Sequence, residues 1–198
     1  LMQLSTIANL EGMYYKPRMD HEILEKYNEG LIVLSGCASS EVSEAIRADD
    51  IEKARDIAKW YKSVFGDRYY FEVQDSTWDV QLKINEQLFK LSKELDVPCV
   101  LTSDAHYVEP SDTEAHEILL CVGTGSFLSD EGRMSLSDFH LHVTDPAEII
   151  ERWSDQHPEI IRNTKLIADR CDVSLEFGKI LIPTFPVPDK ETEKSYLH

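Results

Sequence analysis

Close cysteine pairs, glycine-rich loops and positive charge are all scarce in this sequence of 198 residues, and each shortage removes a class of function. The four cysteines (Cys37, Cys99, Cys121, Cys171) form no CxxC pair. That spacing excludes a zinc ribbon and a disulfide framework and fits a reducing cytoplasm. Glycine occurs only eight times, and GTGS at 123–126 follows a helical stretch instead of a strand, so no phosphate loop of Walker or dinucleotide type is present. No apolar run approaches the roughly 18 residues of a membrane span, and the opening LMQLSTIANLEGMYY lacks the basic n-region and unbroken apolar core of a signal peptide. Lys and Arg total 20 against 37 Asp and Glu, a formal charge of −17. A field of that sign repels a phosphate backbone unless metal or a local basic patch offsets it, so the chain alone is not expected to grip DNA. Internal repeats, low-complexity tracts and a Ser-His-Asp arrangement are missing as well.

What is present is a globular pattern, with 42% hydrophobic residues and enough length for one sizeable core plus a helical appendage. The first residue is Leu, and KETEKSYLH closes the chain without a stop signal, so the sequence is expected to be part of a longer protein. Met2, Leu4, Ile7, Ala8 and Leu10 recur at helical spacing until Gly12. Asp20 stands where an N-cap belongs for HEILEKYNEG, and Ser39 and Ser40 for a helix through Ile46. In DDIEKARDIAKWYKSVFG, residues Ile51, Ala54, Ile57, Ala58, Tyr61 and Phe65 form one stripe. VQLKINEQLFKLSKELDV continues the helical series. Between these helices lie apolar strands, LIVLSG, YYFEVQ and PCVLTSD. Strands buried on both faces and separated by helices pair in parallel, which predicts an α/β barrel or a doubly wound sheet. Beyond His106 the pattern becomes helical, in SDTEAHEILLCVGTG, DPAEIIERWSDQ and HPEIIRNTKLIADRC. Pro183, Pro186 and Pro188 then make an extended exit, with a domain boundary expected near residue 182.

Chemistry is most strongly indicated in VLTSDAHYV. Asp104 and His106 stand two apart at the end of a buried strand and so share a face, and strand C-termini are where barrel active sites form. A carboxylate and an imidazole aimed at one point make a half-site for zinc, manganese or iron; a turn-capping Asp beside a packed His is the structural alternative. Cys37 in LSGCASS also follows a strand, where a thiolate would favour zinc, although a lone Cys is more often a small buried hydrophobe. His116, in the first turn of the next helix, can reach the site or simply pack. His140 and His142 in DFHLHV are an i, i+2 pair that no strand pattern places beside Asp104, and they are expected on an exposed edge. His21, His157 and His198 are expected at the surface or at helix starts, and the acidic runs on solvated faces.

Taken in order, YYKPRMDHEIL, GLIVLSGCASSEV, RYYFEVQ, TSDAHYVEPSDTEAHEILLCVGTG, NTKLIADRCDVSLEFGKILIPTFPVP and SYL resemble the alpha subunits of bacterial DNA polymerase III over essentially the whole chain. The resemblance implies a partial PHP-type distorted (βα)7 barrel, followed by a mainly helical extension leading to the polymerase palm. Residues 1–110 would be the C-terminal half of the barrel, 111–182 the helical extension and 183–198 the connector. The family's PHP domain holds up to three metals. Its Asp-x-His motif matches Asp104 and His106, and the Cys of its SGC motif matches Cys37; its earlier ligands lie upstream of Leu1, so these three cannot assemble the complete site. The implied chemistry is metal-dependent phosphodiester hydrolysis in 3′→5′ proofreading, with zinc or manganese in the PHP site and magnesium in a polymerase site outside this chain.

Polymerase carboxylates have no match here, so polymerisation would belong to a full-length parent. The partners implied are DNA, dNTPs, the sliding clamp, the clamp loader and a proofreading subunit, in the cytoplasm and away from membranes. Two alternatives stand beside this: a metal-free PHP scaffold that supports the polymerase or docks a proofreading subunit, and a stand-alone PHP phosphoesterase, against which the helical 111–198 region speaks. Loss of upstream barrel strands would leave an exposed sheet edge, so the isolated chain is expected to self-associate.

Overall fold

The computed structural model describes residues 1–179, 182 and 185–197. Pro183, at the expected domain boundary, and His198 lie outside the described residues. The chain opens with α1 (Met2–Leu10), a two-stranded antiparallel ribbon of β1 (Met13–Tyr14) and β2 (Lys16–Pro17), and α2 (His21–Lys26). Gly12 separates α1 from the ribbon because a Cβ there would stand 2.0 Å from the Arg18 carbonyl oxygen. Its role is close backbone approach, not a left-handed turn.

Next come β3 (Val33–Leu34), α3 (Glu41–Arg47), α4 (Ile51–Phe65), β4 (Tyr69–Asp75), α5 (Asp79–Leu95) and β5 (Cys99–Ser103). The three strands form one sheet in the order β3-β4-β5 with both pairings parallel, Val33 opposite Tyr69 and Phe71 opposite Cys99. This mixed α/β architecture with a small parallel sheet is what the strand-helix alternation dictates. The helix starts follow the capping chemistry: Asp20 accepts from the Ile23 amide (3.0 Å), Ser40 from Ser43 (3.3 Å) and Asp50 from Lys53 (3.0 Å).

The core lies between the sheet and the helices. Tyr69, Phe71 and Val73 of β4 pack with Cys99 and Leu101 of β5, against Val42, Ile46, Ala54, Ala58, Phe65, Ile84, Leu88 and Leu91 from the helices. The alternate residues Tyr70, Gln74 and Val100 are buried too, as a sheet covered on both faces requires. LIVLSG, expected as a buried strand, differs: only Val33 and Leu34 are paired, and both are half-buried. The physical reason is that β3 is an edge strand among the described residues, with β4 on one side only.

At the other edge, α6 (Thr113–Thr124), α7 (Pro146–Trp153) and α8 (Pro158–Arg170) follow the sheet, and a short α9 (Glu193–Tyr196) lies near the end. Helix α8 takes the place of a further strand beside β5. Asn163 Nδ2 donates to the Cys99 carbonyl (2.7 Å) and Thr164 Oγ1 to the Leu101 carbonyl (3.0 Å), so side chains satisfy acceptors that an edge strand otherwise leaves open. Arg170 ties the far end of α8 to the start of β4 through the Asp67 carbonyl and the Tyr70 hydroxyl, both at 2.8 Å.

Candidate functional site

The C-terminal ends of the three parallel strands open on one cavity of about 470 Å³, lined by residues from each. Cys37 and Ser39 come from the turn after β3, Gln74 and Asp75 from the end of β4, and Asp104 and His106 from the segment after β5. Parallel pairing puts all three strand ends on the same side, which is why residues distant in sequence converge here.

The floor is fixed by a buried amide network. Asn85 of α5 donates to the Gln74 carbonyl (2.8 Å) and accepts from the Gln74 amide (3.3 Å) and from Gln81 Nε2 (2.9 Å). Buried polar groups satisfied in this way hold β4 and α5 in one register. The Asp75 carboxylate is also committed, accepting from Trp153 Nε1 (2.9 Å) and pairing with Arg152 (3.0 Å). That double contact fastens α7 to the end of β4.

His106 is oriented by its own turn. Its Nδ1 stands 2.8 Å from the Asp104 carbonyl oxygen, and because a carbonyl only accepts, Nδ1 carries the proton and Nε2 is left as a lone-pair donor. His116 does not line the cavity; its ring meets that of His106 edge-on, 5.5 Å between centroids.

The fourth wall comes from residues 134–141. The His106 amide donates to the Leu141 carbonyl (2.7 Å), the Val143 amide to the Tyr107 carbonyl (3.0 Å), and Tyr107 pairs with His142 as an isolated parallel bridge. This bridge sets His140 on the lining of the cavity that Asp104 and His106 also line while leaving it exposed, so the exposure expected of it is found and its separation from that pair is not. The HxH spacing was visible; its partner strand was not, since a one-residue bridge carries no periodicity.

The wall is anchored by Glu117 of α6, a residue the sequence reading passed over. Glu117 is buried and accepts from the Leu136 amide (2.8 Å), Ser135 Oγ (2.8 Å) and Arg133 Nη1 (2.6 Å). The Leu136 amide above all, with Arg133 and Ser135, holds its carboxyl down at about 2 against the opposing effect of burial. A signal existed in the sequence: a Glu on the apolar side of ILLC, which demands a partner if buried.

A thiol, a carboxylate and an imidazole on one cavity supply the donor types of a zinc or manganese site. Among the described residues, however, no three His, Cys, Asp or Glu side chains stand close enough together to hold a metal ion. The donors fit part of a coordination shell in kind, and they do not close one.

Residues 1–76 match the family model described as PHP domain. Across 95% of its length the chain is 38% identical to the DNA polymerase III subunit alpha of Borreliella burgdorferi. It is 36% identical over 99% of its length to that of Treponema pallidum, and 37% identical over its whole length to that of Thermus aquaticus. It spans about a sixth of these relatives, 16% and 17% of their lengths. By sequence the chain is a homologue of the DNA polymerase III alpha subunits, matching a segment of them that opens in a PHP domain.

Proposed function

We propose that the chain is a segment of a replicative DNA polymerase, in which the full-length protein carries out template-directed DNA synthesis and this segment contributes to a PHP metal site for phosphodiester hydrolysis. Residues 1–110 are then the C-terminal half of a distorted barrel, 111–182 its helical extension and 183–198 the way into the palm. The observation that carries this reading is the convergence of Cys37, Asp104 and His106, from two different strand ends, on one cavity, in a chain similar throughout to DNA polymerase III alpha subunits.

Cys37, Asp104 and His106 would hold a divalent cation jointly with donors from outside the chain. Such a cation, when bound, lowers the pKa of a water and neutralises charge on a phosphoryl oxygen. The chain's own residues do the positioning. The Asp104 carbonyl fixes the His106 tautomer so that Nε2 is the donor. Glu117 fixes the wall through Leu136, Ser135 and Arg133, which holds that side of the cavity in place. DNA, dNTPs, the sliding clamp, the clamp loader and a proofreading subunit are partners of the full-length protein, with magnesium at its polymerase site.

A second reading, a metal-free scaffold that supports the polymerase, is favoured by the commitment of the Asp75 carboxylate to Trp153 and Arg152 and by the lack of three convergent donors among the described residues. Elemental analysis of the full-length protein after loading with zinc and manganese separates the two. Bound metal that falls in Asp104→Asn and Cys37→Ala supports the hydrolytic site. A wild type that stays empty establishes the scaffold.

A further inference from the structure

The cavity holds two features that metal binding does not use. One is an aromatic wall: Trp78, the N-cap of α5, and Phe139 meet edge to face with ring centroids 5.6 Å apart at 70°, with Met134, Leu136 and Leu141 also lining the cavity. Both rings are only half-buried, so each keeps open surface.

The other is Arg47, the last residue of α3 and, among the described residues, the only permanent cation lining the cavity. Its Nη1 donates to the Ala38 carbonyl (3.3 Å), which tethers it to the Cys37 turn. Arg55, Arg133, Arg152 and Arg170 all pair with carboxylates; Arg47, like Arg18, Arg68 and Arg162, has no carboxylate partner among the described residues, and of these four it is the one that lines the cavity. In a chain with 37 acidic residues against 20 basic ones, a guanidinium kept off the carboxylates and set at a cavity rim is suited to an anion brought from outside.

We propose that the cavity takes a single nucleotide unit, its base on Trp78 and Phe139 and its phosphate on Arg47. A flat ring and a phosphate on one ligand match the two features together, and a volume of about 470 Å³ is that of a small-molecule site. The surrounding charge of −17 disfavours a long polyanion, so one unit is held and not a length of backbone. Stacking on an aromatic side chain gives affinity without base identity, so the subsite is base-tolerant. The inference deepens the phosphodiester reading and rests on it for the bond that reacts, though not for the contacts themselves.

The test is titration calorimetry on the full-length protein with dAMP, deoxyribose 5-phosphate and deoxyadenosine, in chelator and again with manganese. In chelator, dAMP is expected to bind more tightly than the sugar phosphate. Trp78→Ala and Phe139→Ala lower the dAMP affinity by roughly 5- to 150-fold and leave the sugar phosphate unchanged, while Trp78→Phe retains most of it. Arg47→Gln weakens dAMP and sugar phosphate by a common factor and leaves deoxyadenosine alone. Equal affinity for dAMP and sugar phosphate, or dAMP binding indifferent to Trp78→Ala, Phe139→Ala and Arg47→Gln, overturns the subsite. Metal content of the same samples keeps the two readings apart. Metal-free protein with this substitution pattern retains the nucleotide subsite and sinks the hydrolytic site; metal-loaded protein without it does the reverse.

Discussion

Replacing Glu117 with Gln removes a negative charge from a buried point where three donors converge: the Leu136 amide, Ser135 Oγ and Arg133 Nη1, at 2.6–2.8 Å. Glutamine keeps the size and one carbonyl acceptor, yet it presents an NH₂ where a second acceptor is needed. Arg133, whose side chain is 17% exposed, then loses its counter-charge, and either Leu136 or Ser135 loses its acceptor. An unmet donor facing the buried carboxyl position costs about 1–3 kcal/mol, so about 2 kcal/mol of local stability should go. Hydrogen exchange at residues 133–141 reads this directly, because each 1.4 kcal/mol is about tenfold in the opening equilibrium. Exchange there is expected to speed up by about 30-fold, with β4 and β5 unaffected.

The pH dependence supplies a sharper check. The folded carboxyl sits at about 2, below its ordinary 4.5, so its contribution is complete above pH 4.5 and disappears as pH falls toward 2. Wild type and Glu117→Gln should therefore differ fully above pH 4.5 and converge below it. An exchange difference that is absent, or that does not change with pH across that window, refutes the assignment of Glu117 as the anchor of the cavity wall.

Two further outcomes follow from the edges of the sheet. Asn163→Ala and Thr164→Val each strip an acceptor on β5 of its donor, and each should lower stability by about 1–2 kcal/mol, measured as a fall in urea midpoint; an unchanged midpoint in the double variant would mean that water replaces α8 there without loss. Among the described residues one side of β3 is unpaired and Leu119 (67%), Val122 (75%) and Phe127 (74%) are exposed, so light scattering should find the 198-residue chain self-associated, and a monodisperse monomer would contradict this.

Much of this was legible along the chain because it is local. The caps Asp20, Ser40 and Asp50 and the stripe from Ile51 to Phe65 are decided within a few residues of themselves, by side-chain oxygens that meet free amides and by apolar spacing at 3.6. β4 and β5 announce themselves as apolar runs of strand length. Gly12 was legible only as an ending; that it admits no Cβ because the Arg18 carbonyl lies against it is a fact of the ribbon's fold. β3 came out shorter than its apolar run, because pairing depends on a neighbour and not on composition.

The sequence by itself determined the α/β alternation, the helix ends, and the residue types that could serve a metal, Cys37, Asp104 and His106. Tertiary structure alone decided which side chains share the cavity. It added Arg47, Trp78 and His140, and it committed Asp75 to Arg152 and Trp153. It also set His116 against the back of His106 and made Glu117 the anchor of the far wall. The reason is that local structure is written in spacing over one or two turns. A cavity at the ends of parallel strands is closed by contacts between segments far apart in sequence, and those leave no period to read.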